Sequence, residues 1–384
     1  MFLILSEERN CLKIGFYIKQ LIKMAVQHIF LPFLYFIFSR GKINDKSVIF
    51  ADAHHSEIPF SMEQMRKSVG EIDGLEIHDM YFDFQKNGTK SLILWLVKFM
   101  KVFAKARYVF ICDNFLPVSS CRKRPETTVV QLWHSGGLLK KAGYDTDDSV
   151  PDMYKGNVFK NYDLLTVSAP CCVKVFESSC RQPQGVVKAL GISRSDIYFN
   201  EEFNRTCREE FYRVYPEASG KRIVLWAPTF RGNAAEPVLI GEDAIDRAFK
   251  EMPDCFLVKK LHPHFENKNF NKISCMIPSE RLLPVADLLI TDYSSIVFDY
   301  LAYKKPFVLF APDLDEYEKE HGFYLSYETS YPTTVAKNEQ ELIDAVKYEL
   351  TSRNVRELEE CYAYHMKMCD GKATQRILRE IGLK

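Results

Sequence analysis

The chain has 384 residues, with 51 Lys+Arg against 51 Asp+Glu, and is 47% hydrophobic and 27% charged, which suits one large or two ordinary domains and excludes wholesale disorder. A formal net charge of zero removes the sequence-wide drive toward polyanions, so nucleic acid is not expected as a partner. The 11 Cys are odd in number and form no C-x-x-C pair, and the adjacent Cys171 and Cys172 are badly placed to bond each other; this pattern indicates free thiols in a reducing compartment and no zinc knuckle.

The N-terminal segment, residues 1–42, is the membrane-like part. Arg9, Lys13, Lys19, Lys23, Arg40 and Lys42 are accompanied by no acidic residue between Arg9 and Lys42, and an apolar run ends in Ile29 to Phe38. The gap between Lys23 and Arg40 is 16 residues, short of the ~20 needed to span a bilayer, and it contains Gln27, His28 and Pro32. Ile14, Tyr17, Ile18, Leu21, Ile22, Ala25 and Ile29 recur at helical spacing, while Lys19, Lys23 and Gln27 fall four apart on another face. The expectation is a helix lying in the interface of an anionic membrane; the alternative is a helix packed on the protein's own core with snorkelling lysines. No small-residue cleavage site follows the apolar run, so a secretory signal is not expected.

After Lys46, short apolar β-type runs alternate with helix-like stretches, as in a parallel sheet covered on both faces. Predicted strands are Ser47 to Ala51, Leu75 to Tyr81, Tyr108 to Cys112, Thr128 to Leu132 and Leu164 to Val167. A charged helix over Glu201 to Tyr215 precedes a second series at Arg222 to Trp226, Cys255 to Lys259, Asp287 to Ile290 and Pro306 to Phe310, and Asp370 to Leu383 reads as a closing helix. The organisation expected is α/β: a Rossmann-like domain over 43–200 and a second over 201–384, with ligands at strand C-terminal ends.

Four strand-end constellations carry candidate chemistry. His134 follows Val129 to Trp133 and precedes Gly136-Gly137: either a base that titrates near neutrality beside backbone able to approach a ligand closely, or a core histidine in a glycine turn. Asp145-Thr146-Asp147 resembles an Asp-x-Asp metal pattern but follows no apolar strand, so a solvated loop is the better reading. Arg231, after Ile223 to Phe230, suits bidentate capture of phosphate, or an ion pair. His262 follows the run through Val258, and Pro263 restricts it to extended geometry; metal binding with His264 has little support, because no further ligand stands at a recognisable spacing. The densest run is Ala286 to Tyr300: a buried strand ends at Thr291-Asp292, and a helix starts at Ser294-Ser295, whose hydroxyls and N–H groups suit a phosphate. Asp299, on that helix, accepts ribose hydroxyls or forms an ion pair.

Trp133-His134 with Leu139-Lys140-Lys141 and Gly143-Tyr144-Asp145, then Ala227 to Arg231, Lys260 to Pro263, Thr291 to Ser295 with Phe298-Asp299, Asp313 to Tyr317, His321-Gly322 and Asp370-Gly371, resemble in order the CDP-glycerol glycerophosphotransferase family of teichoic acid and capsule synthesis. The resemblance implies a GT-B fold of two facing Rossmann-like domains, peripheral to the cytoplasmic face of the membrane. It also implies transfer of a polyol phosphate from CDP-glycerol or CDP-ribitol to a hydroxyl of a lipid-linked saccharide or polyol-phosphate acceptor, with release of CMP. In that frame His134 and His262 are catalytic, His134 as the acceptor-side base. Arg231, Thr291, Ser294 and Ser295 serve the donor with Asp299 in support, no metal or cofactor is required, and a homo-oligomer is compatible. The family usually has His-Gly-Thr-Pro where this chain has His134-Ser135-Gly136-Gly137, which marks the acceptor loop as distinctive. The competing readings are a GT-B glycosyltransferase or sugar-nucleotide epimerase, and a non-catalytic membrane-bound partner of capsule enzymes.

Overall fold

The computed structural model describes residues 20–84, 86–146, 150, 156–233, 236–261, 265, 274–352 and 354–383. The chain forms two compact units, one of Met1–His134, Val150–Thr166 and Phe176–Lys188, the other of Ser135–Ser149, Val167–Val175 and Ala189–Lys384. The second unit thus takes in the loop after His134 and the turn after residue 166, both placed by the sequence reading within 43–200.

The first unit is built on a sheet of β1 (Asn44–Asp52), β2 (Glu76–Tyr81), β3 (Ala106–Ile111), β4 (Thr128–Gln131), β5 (Leu164–Val167) and β6 (Val187–Ala189), in spatial order β2-β1-β3-β4-β5-β6. The ladders from β2 through β5 are parallel, with Ser47 opposite Glu76, Tyr108 opposite Thr128 and Val130 opposite Leu164. Residues 47–52 of β1 and all four of β5 are buried, as expected of parallel strands covered on both faces. Phe50 and Phe110 stack across β1 and β3 at 4.8 Å, and helix Thr89–Phe103 adds Trp95, Phe99 and Phe103 to an aromatic layer with Phe115.

The N-terminal helix Gln20–Phe38 is 19 residues, long and apolar enough to cross a membrane by length and composition. One face of it is nevertheless fastened to the first unit. Gln27 is buried and donates to Ser119 Oγ at 3.4 Å; Tyr35 stacks obliquely on Phe103 at 5.2 Å, and its hydroxyl accepts the Arg124 backbone N–H at 2.9 Å. This corrects the facing read from sequence at one position, Gln27, which the spacing grouped with the lysines on the polar face. Val26–Phe30 is a π-helical turn, whose wider pitch rotates the faces out of simple 3.6 spacing, so Gln27 points inward while Leu21, Ile22 and Ile29 are exposed. Ile14, Tyr17, Ile18 and Lys19 lie outside the described residues.

The second unit has β7 (Arg222–Trp226), a hairpin of β8 (Arg231–Asn233) and β9 (Glu236–Val238), then β10 (Cys255–Lys259), β11 (Leu288–Thr291), β12 (Phe307–Phe310) and β13 (Val335–Ala336). Its main sheet runs β10-β7-β11-β12-β13, parallel throughout. Relabelled by appearance, both sheets share the doubly wound order 2-1-3-4-5. The crossovers therefore diverge between β1 and β3 in one unit and between β7 and β11 in the other, and such a divergence opens a crevice at the carboxyl edge. The closing helix forms over Ala373–Glu380, with the Ala373 and Thr374 N–H groups capped by Asp196 at 2.9 and 2.8 Å.

The paired glycines after His134 serve packing of the chain on itself. A Cβ on Gly136 would lie 2.4 Å from Met366 Sδ, and one on Gly137, whose φ is +62°, would meet three Phe298 ring atoms at 2.6 Å. The backbone here closely approaches side chains of its own unit. Gly137→Ala combines a left-handed backbone with overpacking and should cost about 2–4 kcal/mol; the check is the urea midpoint of the purified variant, which should fall with an unchanged slope.

Candidate active site

Each carboxyl edge holds one cluster. In the first unit, β4 ends at Gln131, and the chain turns at Trp133, a tryptophan with φ +58°. That strained turn is clamped by Gln131, whose Oε1 accepts the Trp133 N–H at 3.0 Å while its Nε2 donates to the Asp113 carbonyl at 2.8 Å. His134 stands at the exit, stacked on the Trp133 ring at 5.0 Å and half-exposed. Its Nδ1 is 3.1 Å from the Cys112 carbonyl, an acceptor only, so Nδ1 carries the proton and in the neutral ring the lone pair sits on Nε2. An imidazole with fixed plane, fixed tautomer and an exposed ring is equipped to take a proton from a bound hydroxyl.

Two further groups share this edge. Asp113 follows β3, with Oδ1 accepting the Asn114 N–H at 2.6 Å and Oδ2 4.0 Å from His134 Nδ1. Asp52 ends β1, and its Oδ1 receives the N–H groups of His54 and His55 and the His55 Nδ1, each at 2.8 Å. The Asp52 hydrogen bond raises the titration of His55, against burial. Both aspartates obey the strand-end criterion that singled out His134, because Asp113 directly follows Tyr108 to Cys112 and Asp52 directly follows Ser47 to Ala51.

In the second unit, the loop after β7 and the end of β11 meet at the other crevice. Thr291 is buried and its hydroxyl donates to the Ala227 carbonyl at 2.7 Å, which joins the two strand ends. Asp292 Oδ1 accepts the Thr229 N–H and hydroxyl at 2.8 and 2.9 Å. Arg231 completes the cluster. Nε donates to Asp313 Oδ2 at 2.6 Å, Nη1 to the Thr229 carbonyl and hydroxyl at 2.9 and 2.7 Å, and Nη2 to Asp292 Oδ2 and Asp313 Oδ1 at 2.9 and 3.0 Å. Those contacts use all the N–H donors a guanidinium has. Its plane also lies near the stacked rings of Tyr293 and Tyr317, at 4.7 and 5.0 Å. Burial works against the charge on Arg231, but the bonds to Asp313 and the charge of Asp292 raise its pKa; burial likewise pushes Asp313 up, yet Arg231 holds it below the usual carboxylate range. Of the two roles open to this arginine in the sequence, the structure displays the ion pair.

The remaining expected donor residues are distributed unevenly. Ser294 Oγ accepts the Ile296 N–H at 3.3 Å, and Ser295 is the N-cap of the short helix Ile296–Tyr300 without a side-chain cap bond. Both lie at the crevice edge, partly exposed. Asp299 is buried and ion-paired with Arg194, the ion-pair arrangement of the two read from sequence. His262 and His264 lie outside the described residues; β10 brings the chain as far as buried Leu261. Asp145 accepts from the Tyr324 hydroxyl at 2.9 Å, in a segment that pairs with the chain after His321 through Lys140 opposite Phe323 and the Lys141 N–H on the Gly322 carbonyl. The loop is therefore anchored at Asp145, not solvated, and Asp147 lies outside the described residues.

Removing Arg231 would strand two carboxylates in a half-dry cluster, a loss of about 3–5 kcal/mol. Arg231→Ala should accordingly lower the unfolding midpoint of the second unit, and Arg231→Lys, with three donors, should recover only part of it; chemical denaturation of the three proteins reads this directly.

Comparison with known proteins agrees with the motif order. Residues 33–383 match the family described as CDP-Glycerol:Poly(glycerophosphate) glycerophosphotransferase. The chain is 30% identical over 311 residues to the teichoic acid ribitol-phosphate primase of Bacillus spizizenii, covering 76% of this chain and 78% of that protein. It is 28% identical over 290 residues to the teichoic acid glycerol-phosphate primase of Bacillus subtilis, covering 71% and 73% respectively. The solved structure of the wall teichoic acid polymerase TagF superposes with a TM-score of 0.69 at 19% identity, over 96% of this chain and 97% of that one, a likeness of fold. The chain belongs to the CDP-glycerol:poly(glycerophosphate) glycerophosphotransferase family.

Proposed function

We propose that this protein transfers a polyol phosphate from CDP-glycerol or CDP-ribitol to a hydroxyl of a lipid-linked saccharide or polyol-phosphate acceptor, releasing CMP, in teichoic acid or capsular polymer synthesis. The observation that carries the reading is His134, with Nδ1 on the Cys112 carbonyl and Nε2 left to act as base. Nε2 takes the proton of the acceptor hydroxyl as its oxygen bonds to the phosphorus bearing the polyol; the bond from that phosphorus to the CMP oxygen breaks, and CMP leaves with the electron pair. Such transfers need positioning and charge stabilisation more than covalent catalysis. Roles divide by unit: the first serves the acceptor, the second the CDP-polyol. Thr291 and Arg231 shape the donor crevice, Ser294 and Ser295 offer hydroxyl and N–H donors to the pyrophosphate, and His262 assists the leaving group.

The same proposal places the protein on the cytoplasmic face of the membrane, with helix Gln20–Phe38 lying in the interface. Phe33, Phe36 and Ile29 are 59, 65 and 70% exposed, a density of bare apolar surface unusual for a water-facing helix, and on helix Thr89–Phe103 Leu94, 72% exposed, lies between Lys90 and Lys98. Gln27, Leu31 and Tyr35 hold the other face on the first unit, an attachment along the helix that suits an in-plane helix better than a span.

Two measurements test these roles. Purified protein should release CMP from one CDP-polyol only when a lipid-linked acceptor is present, and His134→Ala should abolish release while CMP binding by calorimetry stays within about twofold; UDP release from a sugar nucleotide would instead favour a glycosyltransferase, and loss of CMP binding would remove His134 as the base. Phe33→Ser with Phe36→Ser, which spares the packed face, should cut co-sedimentation with phosphatidylglycerol vesicles at least tenfold; undiminished sedimentation would place the attachment elsewhere.

A further inference from the structure

We propose that Asp113 is a positioning residue for the transfer, acting through His134: its carboxylate steadies the imidazolium that forms when the ring accepts the acceptor's proton. The inference rests on the reading of His134 as the base and adds a residue to it.

Three observations in the first unit support it. The carboxylate is aimed: Oδ1 is held by the Asn114 N–H at 2.6 Å, and Oδ2 lies 4.0 Å from His134 Nδ1, the nitrogen that keeps its proton throughout. The distance is fixed from the backbone, since Gln131 grips the Asp113 carbonyl with one end of its amide and the Trp133 N–H with the other, and Trp133 accepts a left-handed φ of +58° in that grip. A strained turn held by a buried amide, with a half-exposed His and Asp as its outcome, is more order than a surface loop requires. Finally, Asp113 follows β3 and stands beside the divergence of crossovers between β1 and β3, where a doubly wound sheet collects its ligand.

The electrostatics fit the reaction coordinate. Before transfer, a ring acting as base rests on the Cys112 carbonyl through Nδ1 and carries no charge for Asp113 to meet. Once Nε2 has taken the acceptor proton, the ring is cationic and the carboxylate 4.0 Å away stabilises it, the more so when a bound acceptor excludes water. His55, Asp52 and Asp83 stand further along the same edge, and Asp113 contributes to the raised titration of His55, so the carboxylate is within electrostatic reach of both imidazoles. An interaction that strengthens only as charge develops changes kcat and leaves binding alone.

The experiment compares Asp113→Asn, Asp113→Glu and His134→Ala in the full-length protein by acceptor-dependent CMP release. Asp113→Asn, which keeps size and the Asn114 contact, should lower kcat by roughly ten- to a hundredfold with the acceptor KM and CMP affinity within about twofold of the parent, and Asp113→Glu should recover at least part of kcat. A kcat within twofold of the parent, a loss confined to KM, or a glutamate variant no better than asparagine would overturn the proposal. Activity retained by His134→Ala would instead remove the base itself, and an inactive His134→Ala beside a normal Asp113→Asn would remove Asp113 alone.

Discussion

Parallel strands deliver every carboxyl end to one edge of a sheet, and the rest of this molecule follows from that constraint. Hydrophobic strand interiors leave no room for chemistry, so polar residues appear where the strands stop. Because the crossovers of each sheet diverge between its first and third strands, neighbouring loops part there. His134, Asp113 and Asp52 occupy one of these places and Thr291, Asp292, Thr229 and Arg231 the other. The same topology, used twice in one chain, gives two crevices of different chemical character: imidazoles and carboxylates in one, a saturated guanidinium cluster in the other.

That second cluster shows how a functional edge is kept rigid. Arg231 joins the loop after β7, the end of β11 and the start of helix Leu314–His321 through three side chains, and the Tyr293 hydroxyl donates to Asp313 Oδ1 at 3.0 Å to complete the ring. A buried ion network of this kind adds little net stability over apolar packing, but it penalises any arrangement in which one partner is misplaced. Ser294 and Ser295, next to this cluster, therefore inherit a fixed backbone without themselves making strong contacts.

The fold was largely legible from the sequence because the buried strands are short, continuous apolar runs: Leu164 to Val167, Arg222 to Trp226 and Cys255 to Lys259 are found where the pattern placed them. What escaped the pattern was determined by packing. The three-residue hairpin strands Arg231–Asn233 and Glu236–Val238 have no hydrophobic period to detect, and the two-residue β13 is recognisable only from its neighbour β12. In the candidate site, a strand-end rule located His134, Arg231 and Thr291 but said nothing of which donors were already committed. Arg231 reads as a lone cation in sequence, since Asp313 lies 82 residues away. Asp299 reads as a ligand residue because helical phase over the five residues of Ile296–Tyr300 is too short to tell inside from outside.

The contact of Gly137 with the Phe298 ring ties the loop after His134 to the helix that begins behind Ser295. These two stretches are 161 residues apart in the chain yet behave as one mechanical part, in which neither can change volume alone. A side chain at 137 and the full ring at 298 therefore compete for the same space. Room for a bulkier loop after His134 can come only from a smaller residue at 298.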